Sequence, residues 1–267
     1  MVKVSTFLPA PKLSNIIRHY WVMEASADPS GSVELFFHVG AIEIIFHLQS
    51  QFIRISDGQH ILEKRTFIEG QQSGILQVLN SGPMKSVGIT LYPWATTILY
   101  DKSPSFFTDT NFDVGEIDTT LLLLYDQLYN NNDDSLIPSI CNNYFAAILK
   151  DKFICHSPTE NRIMYVFKKQ NEFFTISDLK NEWPYSAKLF EKKFKELTGL
   201  SAGEIMKKRR IARVLKNILL EDYKSLTDVA HDSGYYDQSH FIKDFKTYFS
   251  TSPKLLRKDH RLLKHFI

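Results

Sequence analysis

The sequence predicts an α+β chain of more than one domain, in which strands dominate the N-terminal half and helices dominate the C-terminal half. Its 267 residues are enough for about two domains. The apolar fraction of 43% excludes a disordered chain. The hydrophobic period also changes along the chain, from short strand-like runs to the three- and four-residue spacing typical of helices.

The charge of the chain divides in the same way as the hydrophobic pattern. The net charge of +2 comes from 32 Lys and Arg residues against 30 Asp and Glu residues. Residues before Glu160 carry a net charge of −6, whereas those from Glu160 onward carry +8. A basic half favours an anionic partner, so the near-neutral total does not exclude nucleic acid.

Short runs rich in β-branched and aromatic residues predict the strands of the N-terminal half. These runs are separated by Gly, Pro, Ser and Asn, and they lie at 33–40, 41–48, 51–58 and 87–92. Such spacing predicts a small β-barrel or sandwich over residues 1–113. A short helix or turn is expected before it, leading to Tyr20 and Trp21.

A helical pair is predicted at 114–150, where the hydrophobic period changes. Ile117, Leu121, Leu124 and Leu128 recur at steps of four, three and four, which places them on one stripe of a helix. Two interpretations are open. The stripe packs against the chain's own barrel, or it forms a dimerisation seam with a second copy, because its spacing is that of a coiled-coil face. Both can hold for different faces of the helical pair.

The segment 151–160 is predicted to be a linker between the acidic and the basic half. Beyond it almost every segment has helical periodicity, so residues 161–267 are predicted to be all-α. Two segments there share one layout of a helix, a tight turn and a second helix. The fold class is therefore a small N-terminal β-barrel or sandwich with a helical pair, followed by a C-terminal all-α domain with two helix-turn-helix motifs.

The first of these motifs consists of a helix at 175–183, a turn at Pro184 and a second helix at 187–197. Ser186 can cap the second helix, because its hydroxyl can accept a hydrogen bond from a backbone N–H of the first turn. The phenylalanines of the second helix fall on one side. Its opposite, polar side is free to enter a major groove of DNA.

The second motif follows the same plan at 225–249. Gly234 ends its first helix, since glycine tolerates the left-handed conformation, and Asp237 caps its second helix. His240 lies beside Phe241, and we expect it to pack at the turn rather than to bind a metal.

A helix of about 20 residues at 202–221 connects the two motifs and spans roughly 30 Å, close to the pitch of B-DNA. Four basic residues follow one another in it, from Lys207 to Arg210. Burying such a run would be costly, so we expect these side chains to stay solvated, pair with acids or meet phosphate.

The second motif carries a specific set of residues: Asp228-Val229-Ala230, the run 234–241, Phe245-Lys246, Ser252-Pro253 and Arg257. With these residues, the segment 173–258 resembles the DNA-binding domain of the AraC-type (AraC/XylS) bacterial transcription regulators. The first motif matches less closely, because Lys180 stands where a small Ala usually packs and Trp183-Pro184 replaces the usual turn residues. The resemblance implies a sequence-specific DNA-binding transcription regulator.

The family's motif, carried over to this sequence, gives the residues expected to touch DNA. Those expected to read bases are Lys188, Glu191, Lys192, Gln238, Ser239, Ile242 and Lys243. Those expected to contact phosphate are Ser186, Lys195, Lys207, Lys208, Arg209, Arg210, Asp237 and Lys246.

The N-terminal half carries a second resemblance, in the features Ile17-x-x-Tyr20-Trp21, 43–48, 67–71 and 87–93. It is similar to the uncharacterised β-rich N-terminal domains that often precede AraC-type DNA-binding domains. This resemblance implies a sensor or dimerisation domain. The expected partners are therefore double-stranded DNA, a small-molecule effector, a second copy of the chain and, by family analogy, RNA polymerase.

No catalysis, metal or cofactor is expected. His38, His47 and His60 in a small barrel raise the alternative of a cupin-like metalloenzyme, but no H-x-H pair occurs and Glu43 is not placed to complete a ligand set. The sequence also lacks a Walker loop and a G-x-S-x-G motif. A further alternative is a ligand-binding or protein-interaction module without specific DNA binding.

The apolar runs of the chain are short. The stretch from Leu121 to Leu124 is far below the roughly 20 residues that span a bilayer, and Pro9 interrupts the N-terminus before a signal-peptide core develops. We therefore expect a cytoplasmic protein. Cys141 and Cys155 have no partner at ligand spacing, so a zinc site or disulfide framework is not expected.

Overall fold

A computed structural model describes residues 2–27, 33–37, 39–56, 58–80, 82–150, 152, 156–168, 186–220, 225–249 and 252–253. The N-terminal half (2–152) contains ten strands and four helices within these ranges, and the C-terminal half (156–253) is helical. The predicted fold class, a β-rich region followed by a helical region, is confirmed.

The ten strands form two antiparallel sheets. They are β1 Val2–Phe7, β2 Ile17–Ala25, β3 Val33–Phe36, β4 Ile42–His47, β5 Phe52–Ser56, β6 Gln59–Leu62, β7 Thr66–Glu69, β8 Leu76–Asn80, β9 Met84–Leu91 and β10 Asn111–Asp113. One sheet has the order β1-β2-β9-β4-β7-β10, and the other has the order β3-β8-β5-β6. Within the described ranges, no strand pairing joins the two sheets.

Strand β4 is buried on both faces, which places it at the centre of the N-terminal half. Ile42, Ile44 and Phe46 point to a core shared with helices, whereas Ile45 belongs to a second core between the sheets. Successive strand residues point to opposite faces, so the two cores use alternate positions. Glu43, on the same face as Ile45, is therefore buried together with apolar residues.

Four helices of the N-terminal half are α1 Ala95–Tyr100, α2 Val114–Ile117, α3 Thr120–Tyr129 and α4 Ile137–Leu149. Leu121, Leu124 and Leu128 of α3 are at most 1% exposed and pack with Phe145 of α4 in the chain's own core. Ile117 is partly buried against the same core.

This burial corrects the assignment of Ile117, Leu121, Leu124 and Leu128 to dimerisation. The apolar stripe is already covered by the chain itself, so it cannot also form a seam with a second copy in this fold. The interpretation that the helix pair packs on its own sheet is the one that the structure supports.

The described helices of the C-terminal half are α5 Pro158–Lys168, α6 Ala187–Thr198, α7 Ala202–Leu220, α8 Leu226–Asp232 and α9 Gln238–Phe249. Helix α5 begins inside the predicted 151–160 linker. The predicted helix at 175–183, with Lys180 and Trp183-Pro184, lies outside the described residues, as does Arg257.

The two halves share their hydrophobic cores. Trp94 of the N-terminal half packs with Phe167 of α5, with ring centroids 5.4 Å apart, in a cluster that also contains Phe190 and Phe194 of α6. Phe37 packs in the corresponding way into the cluster of α7, α8 and α9. Each helix-turn-helix unit therefore buries an aromatic side chain from the N-terminal half.

Polar contacts join the halves at the C-terminal end of α6. The Gln71 amide donates to the Thr198 carbonyl, and the Ser105 hydroxyl donates to the Gly199 carbonyl at 3.2 Å. Gly199 has a φ of 81°, and a Cβ there would lie 3.0 Å from the carbonyl carbon of Pro104. Glycine is thus required both by the backbone conformation and by the close approach of the other half.

Candidate DNA-binding site

Helix α6 is the second helix of the first motif, and we call it the first recognition helix. The Ser186 hydroxyl caps it by accepting a hydrogen bond from the Leu189 N–H at 3.3 Å. Phe190 and Phe194 are buried in the core shared with α5 and Trp94. The inward side of the helix is thus fixed by packing, and the other side faces away from that core.

The predicted base-reading residues of this helix lie on its outward side. Lys188 and Lys192 are exposed, and Glu191 is half-buried. Lys195, the predicted phosphate contact, is exposed as well. Lys192 forms an ion pair with Glu196 at 3.8 Å on the surface, and such an exposed pair is weak enough to exchange for a phosphate or a base.

Helix α9 is the second helix of the second motif, and we call it the second recognition helix. Gly234 precedes it in the left-handed conformation, with a φ of 82°. The Asp237 carboxylate caps it by accepting a hydrogen bond from the His240 N–H at 2.8 Å. Phe241, Phe245 and Phe249 are buried beneath it.

The second set of predicted base-reading residues is divided between its outward side and its edge. Ser239 and Lys243 are exposed, whereas Gln238 is half-buried and Ile242 is half-buried against the core of the second motif. The Gln238 side chain accepts a hydrogen bond from the Thr227 hydroxyl at 3.3 Å, which orients it at the start of the helix. The predicted phosphate contact Lys246 is exposed on the same helix.

Two predicted phosphate contacts are N-caps, and they differ chemically. The Ser186 hydroxyl accepts from a backbone N–H and can still donate its proton to a phosphate oxygen. Asp237 can only accept when ionised, and its negative charge repels phosphate. Asp237 therefore acts as the cap of the second recognition helix, and its side chain does not suit the predicted phosphate contact.

His240 lies in the first turn of α9, is exposed, and contacts the turn of the second motif through Tyr235. Its ring makes an edge contact with Tyr235, with centroids 5.3 Å apart, and its Nε2 lies 3.8 Å from Asp244. No group of three or more His, Cys, Asp or Glu side chains in the described ranges could hold a metal ion.

The basic run in α7 differs most from its predicted role. The Lys208 ammonium is buried, with 2% of the residue exposed, and donates to the backbone carbonyl of Gln72 in the N-terminal half. Desolvation lowers the pKa of Lys208 to about 8. Lys208 does not face solvent, so its assignment as a phosphate contact is corrected.

The other three residues of the run also contact the protein. Lys207 pairs with Asp244 of the second recognition helix, with Nζ and Oδ1 3.1 Å apart. Arg209 donates to the Phe167 carbonyl, and Arg210 lies 5.4 Å above the Tyr235 ring. The sequence left solvation, pairing with acids and phosphate contact open for this run, and Lys207 pairs with an acid. Arg209 and Arg210 are half-buried against a carbonyl and a ring face, which offset the loss of water.

A buried polar cluster lies in the N-terminal half, on the face of the six-stranded sheet that carries Glu43. Glu43 accepts hydrogen bonds from the Trp21 indole N–H at 3.1 Å and the Thr90 hydroxyl at 3.0 Å. Glu69 lies opposite Glu43 on β7 and pairs with Arg54. Desolvation raises the pKa of Glu43 and of Glu69 to about 7.

The sequence pattern does not predict this cluster, because it points to Glu43 only as a possible metal ligand. His47 is buried among aromatic rings and contacts the Ser86 hydroxyl at 2.7 Å, and His60 is exposed on β6. His38 lies outside the described residues. Within the part of the chain that the structure describes, the histidines considered for a metalloenzyme do not converge.

No helix in the described ranges is long and apolar enough to cross a membrane.

Comparison with known proteins relates both halves to existing families. Residues 181–259 match the family described as a helix-turn-helix domain, which is of the AraC type. Residues 5–113 match a family described as a domain of unknown function, DUF6597. The boundary of the second match coincides with the end of β10.

The chain is also similar to curated and solved proteins. It is 30% identical over 107 residues to the HTH-type transcriptional activator Btr of Bacillus subtilis, covering 40% of this chain and 20% of Btr. ToxT from Vibrio cholerae is 12% identical, with coverage of 96% of this chain and 98% of ToxT and a TM-score of 0.46.

A shorter relative is matched over most of its length. The chain is 31% identical over 91 residues to the probable transcription factor PqrA of Proteus vulgaris, covering 34% of this chain and 74% of PqrA. Together with the helix-turn-helix match, this similarity places the protein in a family: the chain belongs to the AraC-type transcription regulators.

Proposed function

We propose that this protein is a transcription regulator that binds specific DNA sequences through both recognition helices. The observation that carries the proposal is the arrangement of α6 and α9. Each helix is anchored by buried phenylalanines and exposes part of its predicted base-reading set, Lys188 and Lys192 on α6 and Ser239 and Lys243 on α9. Two such helices on one chain suit two segments of the major groove.

The chemistry of the outward faces supports base reading. Lys188, Lys192 and Lys243 can donate to O6 and N7 of guanine, and Glu191 can accept from N4 of cytosine. In the second recognition helix, Gln238 can bridge N6 and N7 of adenine. Ser239 offers a hydroxyl to either kind of group, and Ile242 can pack on a thymine methyl.

Phosphate contacts are proposed for a smaller set than the sequence suggested. Ser186, Lys195 and Lys246 are exposed near the recognition surfaces. Lysines in such positions neutralise phosphates and fix the register of the protein on DNA without reading its sequence. The basic run of α7 is left out because its side chains contact other parts of the protein.

We assign the N-terminal half a regulatory role, through a small-molecule effector or through dimerisation. Its support is the shared cores: Phe37 and Trp94 each pack into one helix-turn-helix unit, so a change in the N-terminal half has a direct route to both. A second copy would need a surface other than the buried leucine stripe. Leu122 and Leu123 are the exposed leucines of α3.

The remaining assignments follow from the proposed activity. The curated relatives that the chain matches are named as transcription factors, so we propose no catalytic activity. A regulator of this kind acts where the chromosome is, which in a bacterium is the cytoplasm, and RNA polymerase is its proposed partner by family analogy.

Selection of genomic DNA fragments by the full-length protein tests the proposal. A few fragments that share a sequence should be enriched. The affinity for them should fall steeply between 50 and 200 mM salt, since counterions are released when lysines neutralise phosphates. Failure to enrich any fragment, or binding that does not respond to salt, would contradict sequence-specific DNA binding.

A further inference from the structure

We propose that the basic run of α7, Lys207 to Arg210, positions the second recognition helix relative to α7 and the N-terminal half instead of holding DNA phosphate. This inference rests on the proposed function, because it concerns how α9 is presented to DNA. It goes beyond that function by assigning the run a role in setting the geometry of recognition.

The direction of the four side chains supports this role. Consecutive residues of an α-helix point about 100° apart, so four in a row cover the whole circumference. Around this run lie α9, the loop after β7, α5 and the turn before α9, which the four side chains contact in order. Lys208 is buried and the other three side chains are half-buried, so each charged group of the run already has a partner within the protein.

The Lys207–Asp244 pair is the direct link to the second recognition helix. The side chain of Asp244 is 12% exposed. Asp244 directly follows Lys243, which we propose reads a base. Partly buried ion pairs are screened less than surface pairs, so this one holds the middle of α9 against α7. Lys207 also lies 5.5 Å above the ring of Tyr248.

Lys208 extends the link to the N-terminal half. Its ammonium lies 5.2 Å from the ring centroid of Phe37 and 5.9 Å from that of Tyr248, and it donates to the Gln72 carbonyl. Tyr248 of α9 is thus in contact with both lysines. The second recognition helix, α7 and the N-terminal half meet at this one ring.

Arg209 and Arg210 complete the arrangement on the remaining sides. Arg209 lies 5.0 Å above the ring of Phe167 and donates to its carbonyl, which ties α7 to the helix that precedes the first motif. Arg210 lies above Tyr235, at the turn of the second motif. The run therefore contacts the second helix-turn-helix unit and the helix that precedes the first.

A positioning role and a phosphate contact predict different salt dependence. Loss of a phosphate contact reduces the slope of log affinity against log salt by about 0.9 and weakens all sequences alike. Loss of a positioning contact leaves the number of phosphates unchanged. It alters which operator geometry is preferred, because the angle between the two recognition helices is no longer fixed.

The test uses the full-length protein with Lys207→Met and Asp244→Asn, against a panel of operators that differ in the spacing between the two bound segments. Both variants should lose about tenfold in affinity for the preferred spacing, accept other spacings more readily and keep the salt slope of the wild type. Lys216→Met, at an exposed position of the same helix, is the matched control and should change neither property. Lys246→Met should lower the slope.

The swapped variant Lys207→Asp with Asp244→Lys provides the decisive rescue. Restoring the pair with opposite orientation should recover the spacing preference, which a phosphate contact at position 207 would not allow. A salt slope that falls by about 0.9 in Lys207→Met, with an unchanged spacing preference, would overturn the positioning role.

Hydrogen exchange of the free protein provides a second measurement that does not depend on DNA. Lys207→Met and Asp244→Asn should both speed the exchange of amides in α9, and Lys216→Met should not. If the wild type binds no DNA, the proposed function fails, yet this measurement still decides whether the run holds α9. Unchanged exchange in both variants would refute the inference.

Discussion

The ring of Phe37, in the N-terminal half, lies 5.8 Å from the ring of Phe249, the last residue of the second recognition helix. Phe37 also makes an edge contact with Tyr248 at 5.5 Å. A residue from the proposed regulatory half is therefore part of the core that holds a helix we propose reads DNA. The stability of the second motif should depend on this half.

Phe37→Ala should destabilise the protein by about 3–5 kcal/mol, because it removes a buried aromatic side chain and leaves a cavity between the halves. Calorimetry should show a lower midpoint of thermal unfolding for the C-terminal half. Tyr236→Ala, at an aromatic residue that is 89% exposed, is the control and should change the free energy of unfolding by less than about 0.5 kcal/mol. Equal effects of the two substitutions would argue against a shared core.

Lys243→Ala and Lys246→Ala separate base reading from phosphate binding on one helix. Both lysines are exposed, so neither change should disturb folding. Lys243→Ala should relax the preference at one base pair by about 1–3 kcal/mol. Lys246→Ala should weaken all sequences alike and reduce the salt slope by about 0.9. Binding titrations on operators with single base changes would show the proposal to be wrong if the two variants behaved alike.

Glu43→Gln should reduce the loss of folding stability that occurs as pH rises. Burial raises the pKa of Glu43 to about 7 in the folded protein, against a usual value of 4.5. The folded state thus binds more protons than the unfolded state between these values, so the contribution of Glu43 to stability falls as pH rises through this window and is constant above it.

Relative to the wild type, the Gln variant should gain on the order of 1–3 kcal/mol in free energy of unfolding between pH 5 and pH 8. Denaturant titrations at several pH values measure this difference. Gln127→Ala, at an exposed position of α3 without an ionisable group, is the control and should leave the pH dependence unchanged. A stability difference that is flat across pH would mean that Glu43 ionises as an ordinary surface acid.

Leu124→Ala and Leu123→Ala test where the leucine stripe is buried. Leu124 is fully buried in the chain's own core, whereas its neighbour Leu123 is 62% exposed. Truncation of Leu124 should cost about 2–5 kcal/mol of stability without changing the molecular mass in solution. Truncation of Leu123 should leave the stability almost unchanged. If Leu124→Ala converted a dimer to a monomer without changing the stability, the leucine stripe would be a dimer interface after all.

The recognition helices could be predicted from sequence because their signals are local. Ser186 and Asp237 cap the helices where expected, and the phenylalanines at helical spacing face inward. The leucine stripe was ambiguous for a physical reason: an apolar stripe such as Leu121 and Leu124 suits any apolar surface, and sequence does not say which one covers it.

The contacts between the halves could not be predicted, because they join residues far apart in the chain. Nothing near Phe37 or Lys208 indicates that the two meet. Glu43 was missed for a related reason. A polar residue in a strand usually marks a solvated face, but β4 is covered on both faces, so its acid is buried.

The end of the first recognition helix limits how freely the two halves can be exchanged between relatives. The carbonyls of Thr198 and Gly199 accept hydrogen bonds from Gln71, in the loop after β7, and from Ser105, in the short 3-10 helix Pro104–Phe107 of the other half. A chimera that joins this helix-turn-helix domain to a different N-terminal domain would leave those two carbonyls to water. Conversely, a relative with a side chain at position 199 could not be joined to this N-terminal half, because the side chain would collide with Pro104. The two halves are thus expected to be inherited as a matched pair rather than as interchangeable modules.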